Sequence, residues 1–493
     1  MMGVHQPQEE LFSYQVNLEK RVRADHPLRQ VAALIDFSFV RAEVAASYGH
    51  NGHVSIDPVI LLKMMFLLFW DDVPSERELM NVIPERLDYL WFLGYGLDDP
   101  IPNHSVLSKA RRRWGQEAFE KFFTRTITQC VNAGLVDGRK LHVDSSLIAA
   151  DASRGSVLKG CPELIAALKE AYRAQESKLE ETTTPQSYDS VNDCTMSTTD
   201  PDASLVRKGS EPARPSYHHH RAVDDAHGVI TAVETTPGSI AENKKLLALI
   251  DQHQSNTHRT VETAVADTKY GTAENYVACQ QREIRTHMGD MLSRQKASHP
   301  GLFPDSAFVY RPDSDTYLCP GGLEMKPRRL NAKRRTIEYY VPRRACLQCS
   351  LRPQCTRSRT GRTLQRHTHQ ELLQHARAQA HSPQARRDRK RRQVLAEGSF
   401  ADAANNHGFK RSRWRRLWRQ QIQDWLIAAI QNIRILLKTT RTRATGALAL
   451  VWARWCADNG FSSAVSLPSR LLHHLGTRHR DLKHLSWAMV VRV

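Results

Sequence analysis

Between Val59 and Trp70 the chain reads VILLKMMFLLFW, its longest apolar run. Asp57-Pro58 stands just before it, a polar cap followed by a residue well suited to a first helical turn. The run predicts a buried core helix. It is too short to span a membrane and contains Lys63. Leu28, Val31, Leu34 and Ile35 recur at helical spacing within residues 27–46, and residues 75–93 read the same way. Asn103 then precedes SVLSKARRRWG, a basic helix carrying Lys109, Arg111, Arg112 and Arg113. Residues 1–135 are therefore expected to be all-α. A basic helix after short helices can enter a DNA groove, or can be an ordinary solvated face.

From Lys140 the period changes to two. Leu141, Val143 and Ser145 alternate with His142, Asp144 and Ser146, which places Asp144 inside a strand. A carboxylate there is costly unless something pairs with it, and a divalent metal is one such partner. Residues 158–178 suit a helix. Residues 180–216 are rich in Thr, Ser, Pro and Asp and read as a mobile loop, with Asp200 and Asp202 as Asx-turn formers. Residues 217–223 and 229–235 form a predicted hairpin. Adjacent residues of a strand face opposite ways, so at most two of His218, His219 and His220 share a face. They are not expected to be structural metal ligands, and one is expected near a phosphate. A helix over 240–252 leads to a strand with Val261, Ala264 and Val265 that stops at Asp267. Tyr270-Gly271 turns, and Thr272 caps the next helix. Residues 283–288 are a fifth strand.

Ser382-Pro383 starts another helix, running QARRDRKRRQVLAEGSF and bearing Glu397. Glu371, on HQELLQHARAQ, is its rival as a third acid. Two strand aspartates and a helix glutamate can hold two Mg²⁺ ions for in-line attack on a phosphodiester. Residues 410–438 read as one helix capped by Ser412. Its apolar stripe is Trp414, Leu417, Trp418, Ile422, Trp425, Leu426, Ile430, Ile433 and Leu437.

Charge changes the picture next. The formal net charge is +18 over 493 residues. Residues 384–419 hold twelve Lys/Arg against three Asp/Glu, half of that excess. Concentrated positive charge favours nucleic acid as the partner. Arg391, Arg392, Lys410, Arg411, Arg413 and Arg415 join the basic helix as expected DNA contacts. Nine cysteines fit a reducing compartment. Cys319, Cys346, Cys349 and Cys355, with a Cys-x2-Cys step, suit structural Zn²⁺. The other five are treated as incidental. The N-terminus has no apolar signal segment, so a cytoplasmic, nucleoid-associated protein without membrane contact is expected.

The ordered landmarks IPNHSVLSKARRR, the strand around Asp144, STTDPDASL, SYHHHRAVD, GVITAVETTPGS, VADTKYGTAENY, the cysteine cluster and EGSF before QNIRILL carry a resemblance. The chain resembles bacterial insertion-sequence transposases of the DDE type, in the group named insertion-sequence family eleven-eighty-two, over residues 10–437. The resemblance implies an RNase H-like core, a mixed sheet flanked by helices. It implies Asp144, Asp267 and Glu397 as the catalytic acids, binding two Mg²⁺ or Mn²⁺ ions. Partners would be double-stranded DNA, as element terminal inverted repeats and target, and a second copy of the chain. Many relatives carry Tyr-x2-Arg-x3-Glu-x6-Lys around the glutamate. Here those places hold Lys390, Gln393 and Ala404, and Arg392 stands one residue off.

The expected architecture is multi-domain α/β. A helical DNA-binding domain (1–135) precedes the first part of the catalytic core (136–295). A cysteine-rich, zinc-binding insertion (296–370), the last part of the core with the glutamate helix (371–438) and a basic tail (439–493) follow. A DNA-binding regulator or inactive copy, and a nuclease that cuts without joining, are the competing readings. Metal-dependent cleavage separates the regulator from both enzymes, and strand joining separates the two enzymes.

Overall fold

The computed structural model describes residues 16–49, 55–177, 194–289 and 301–458, with side chains as far as residue 440. It divides into two compact units, Met1–Asn432 and Ile433–Val493. The second is described only as helix, to Asp458.

Short helices pack around α1 (Pro58–Trp70) in the N-terminal part of the first unit. Asp57 accepts from the Val59 N–H at 2.9 Å, the expected cap. Residues 64–69 of α1 are all completely buried, because α1 is apolar on every side and surrounded on every side. The basic helix α2 (Ser105–Trp114) and α3 (Glu117–Asn132) close this domain.

The core is a mixed sheet. β1 (Lys140–Ala149) lies between β2 (Arg214–Asp224), antiparallel to it, and β4 (Thr263–Ala266), parallel to it. β3 (Ile230–Pro237) pairs antiparallel with β2, and β5 (Arg285–Met288) parallel with β4. The order is thus β3-β2-β1-β4-β5. Parallel neighbours require crossovers, supplied by α4 (Leu246–Thr257) and α5 (Ala273–Gln281). The central apolar cluster joins Leu141 and Val143 to Leu249, Ile250, Ala264 and Tyr276.

Residues 194–216 are folded where a mobile loop was expected; residues 178–193 lie outside the described residues. Ser204–Val206 pairs with the start of β2. Asp200 and Asp202 do more than form a turn: their carboxylates accept from the Arg416 and Leu417 N–H groups at 3.1 Å each. They cap the N-terminus of α9 (Leu417–Asp458). That helix begins seven residues later than the periodicity predicts, and Ser412 is bonded to Trp414 O instead of capping it.

Five antiparallel strands make the insert: β6 (Val309–Arg311), β7 (Thr316–Leu318), β8 (Glu324–Asn331), β9 (Thr336–Tyr340) and β10 (Thr363–His367). Phe308, Met325, Tyr339, Val341 and Leu364 form its core. The chain then returns through α6 (Gln370–His381) and α7 (Pro383–Arg392), a five-residue π-helical turn Gln393–Glu397, and α8 (Gly398–Asn406).

Candidate active site

Asp144 and Asp267 come together through strand register. The β1–β4 ladder pairs Leu141 with Ala264 and His142 with Val265. Continuing it by two residues sets Asp144 beside Asp267, at the C-terminal edge of β4. Asp144 is nearly covered, its side chain 14% exposed, while the Glu397 side chain is 53% exposed. Burial raises the Asp144 carboxyl above the usual carboxylate range; Arg392 opposes this, and Glu397 and Asp267 add to it. Like charges close enough to act on one another define a site that favours a cation.

The π turn brings in the glutamate. Asp388, buried on α7, takes Lys140 Nζ at 2.9 Å and lies 2.6 Å from His287 Nδ1, which pins α7 to β1 and β5. A π turn adds one residue to a helical repeat, so residues five apart share a face. Arg392 and Glu397 are five apart, and Arg392 Nη2 donates to Glu397 Oε1 at 3.1 Å. Its Nη1 stands 2.8 Å from Asp144 Oδ2. The departure of Arg392 by one residue from the resembling pattern is thus absorbed by the backbone. Glu371 is elsewhere, paired with Arg366 of β10.

A second layer surrounds the acids. Asp267 accepts from the Lys269 N–H, and Lys269 Nζ donates to Glu242 Oε1 at 2.6 Å. Glu242 raises the Lys269 ammonium above its usual range. The other Glu242 oxygen takes Ser145 Oγ at 2.8 Å, and His218 Nε2 lies 3.0 Å from that hydroxyl. Burial lowers the His218 pKa, which favours the neutral ring. His218 thus contacts Ser145, the residue that follows Asp144. Glu242 and Lys269 were not read from sequence as site residues, although Lys269 lies within VADTKYG.

Of the expected DNA contacts, Lys109, Arg112 and Arg113 are exposed on α2. Arg111 is not available. It is 2% exposed, ion-paired with Glu76, and its guanidinium lies 3.8 Å over the Trp414 ring. Arg413 is likewise a structural residue, donating to Leu68 O at 2.9 Å and Val73 O at 2.6 Å. Both were expected outside because charge in a basic run says nothing about which side packs inward. Arg391 is held by Asp225 at 2.6 Å, and Lys410 Nζ donates to Ser146 Oγ at 2.6 Å. Arg415 and Arg411 flank Asp151 at 3.2 Å and 3.6 Å.

Cys319, Cys346, Cys349 and Cys355 line one small cavity of the insert. Among the described residues, no three His, Cys, Asp or Glu are arranged as a metal-ligand group, in the insert or at the acids.

A family described as "Transposase domain (DUF772)" matches residues 16–113, the helical domain. A second, "Transposase DDE domain", matches residues 318–437, from the insert through Glu397. The chain is a DDE transposase. Its activity is DNA transposition, and Asp144 and Asp267 lie in the stretch between the two matched segments. No curated protein matches the transposase. Among solved structures, the piggyBac transposase synaptic complex with hairpin DNA aligns at 8% identity and a TM-score of 0.35, over 86% of this chain and 74% of that one. The Mos1 transposase paired-end complex aligns at 11% identity and a TM-score of 0.16, over 48% and 60%. Likenesses at such scores carry no structural argument. Among the described residues of the transposase, no helix is long and apolar enough to cross a membrane.

Proposed function

We propose that Asp144, Asp267 and Glu397 are the catalytic acids of this transposase. The observation that carries the reading is Arg392, whose guanidinium joins Asp144 to Glu397 while Asp267 acts on the same carboxyl. One cation already pairs with two of the three acids, and the carboxylate donor set is of the kind that suits Mg²⁺ or Mn²⁺. Two such ions would activate an attacking oxygen and stabilise the leaving one. Asp144 and Asp267 are held by the sheet and Glu397 by the π turn, so the acids approach from two rigid elements. Lys269 and Glu242 brace the Asp267 turn. The exposed cations of α2, α7 and the 410–415 segment face the phosphates of the DNA.

The strand order β3-β2-β1-β4-β5 supports an RNase H-like core. The resemblance supports insertion-sequence family eleven-eighty-two, paired element ends as substrate and a dimer or larger assembly on them. Zinc at the four cysteines rests on donor chemistry and their shared cavity. Purified protein is expected to carry close to one zinc per chain, measured by atomic emission, and Cys346→Ser to lose it; metal-free protein with a normal melt would end that part.

The test of the whole reading is cleavage of DNA bearing the element ends, with Mg²⁺ or Mn²⁺. Wild type should cut, and Asp267→Asn and Glu397→Gln should each fall at least a hundredfold. Cuts that survive Glu397→Gln would remove it from the trio. Cleavage without joining would make the protein a nuclease.

A further inference from the structure

The insert presents a face that the acid trio leaves unused. Met325, Tyr339 and Leu364 turn into its core. By alternation, Lys326, Glu338 and Tyr340 turn outward. The β8–β9 register then slips: Pro327 stands opposite Tyr339, but Arg329 stands opposite Glu338, leaving Arg328 as the extra residue. In an unbroken strand Arg328 and Arg329 would face opposite ways. A bulge re-aims side chains, and here it sends both arginines outward. The Arg328 guanidinium lies 5.2 Å over the Tyr340 ring, on the outer face. Arg329 is opposite the outward Glu338.

The turn that follows adds Lys333, Arg334 and Arg335. Lys326, Arg328, Arg329, Lys333, Arg334 and Arg335 are all exposed. Among the described residues none of the six takes part in an ion pair, whereas Glu324 at the base of the ribbon is joined to Arg311 at 3.2 Å. Six cations along β8 and its turn, in a five-stranded sheet, repel one another, and a polyanion relieves that. Duplex DNA carries that negative charge along its whole backbone.

We propose that the outer face of β8–β9 and its turn form a phosphate-gripping contact for duplex DNA, separate from the basic 384–419 segment. It rests on the reading of the chain as a DNA transposase. The occupant is the backbone and not base edges, because the six groups are long, exposed point cations without buried partners to fix them against a base.

The test uses full-length protein and two fluorescent duplexes of equal length, one an element end and one of scrambled sequence. Binding is followed by anisotropy across a salt series. Arg328→Ala with Arg329→Ala should weaken both duplexes several-fold at moderate salt. The pair should also lower the salt slope by about two, near 0.9 for each phosphate that is no longer neutralised. Arg328→Lys with Arg329→Lys should restore the slope. Cleavage at low salt should persist in the alanine pair, since the acids are untouched. An unchanged slope and affinity in an alanine pair that melts like wild type would overturn the proposed grip alone. Weakening confined to the element end, with the slope kept, would overturn phosphate gripping in favour of base reading. Wild type that binds neither duplex would bring down the transposase reading with it.

Discussion

At the scale of single residues, Arg392 is the informative one. It is nearly buried and bridges two acids of different exposure, Asp144 and Glu397. Without it, burial and the neighbouring charges would act on Asp144 unopposed. Arg392→Ala is expected to cost roughly 2 kcal/mol of metal-free stability, since one partner of a largely covered pair is removed. The same change should enlarge the rise in Tm produced by Mn²⁺, because the ion no longer competes with a guanidinium. Scanning fluorimetry with and without Mn²⁺ measures both. Equal increments in wild type and variant would refute competition at this site. Asp144 and Asp267 were legible in the sequence because a strand period places them. The pairing of Arg392 with Glu397 was not, because a π turn leaves no apolar period to read.

At the scale of elements, α9 shows how a distant segment sets a boundary. Its first turn is capped by Asp200 and Asp202, and Asp200 also accepts from Tyr217 Oη at 2.7 Å. Burial pushes the Asp200 carboxyl up to about 7. In the unfolded chain it ionises near about 4. The folded state therefore binds this proton more tightly. Its contribution is complete below about pH 4 and is lost as pH rises towards 7, amounting to roughly 4 kcal/mol at most. Asp200→Asn should flatten that part of the stability profile, measured as urea midpoints at several pH values. A variant profile parallel to wild type would exclude Asp200 as the source. Over residues 417–432 α9 is almost wholly buried, and some of its polar groups are directed at an edge strand. Gln421 accepts from the Thr235 N–H at 2.6 Å, and Asn432 accepts from the Ile230 N–H at 2.8 Å. Those bonds cover the open edge of β3, which would otherwise invite pairing with another chain. An apolar stripe was read there, and the buried amides are what it could not show.

At the scale of the whole first unit, the segment before α9 fastens the helical domain to the core. Arg413 reaches the end of α1 and pairs with Asp72, and Gly408 sits against that carboxylate. A Cβ at Gly408 would come within 2.5 Å of Asp72 Oδ1, on a backbone with φ of +61°. Arg111 and Trp414 stack beside them. Arg413→Ala is expected to destabilise by about 3 kcal/mol, through unpaired buried carbonyls and a broken ion pair. DNA affinity of the folded variant should stay within twofold of wild type. A tenfold fall in affinity at unchanged Tm would return Arg413 to the DNA surface.

The sequence by itself determined the helical first domain, the strand positions of Asp144 and Asp267, the inserted cysteine segment and a strongly basic chain. Each of these is written in local period, composition or turn chemistry. Tertiary structure alone decided which cations face solvent, that Arg392 ties Asp144 to Glu397, and what caps α9. Those depend on contacts between residues far apart in the chain: Arg392 with Asp144, Asp200 with Arg416, Arg413 with Leu68. A charged side chain has the same letter whether it is solvated or buried. Only the packing of its neighbours fixes which of the two it is.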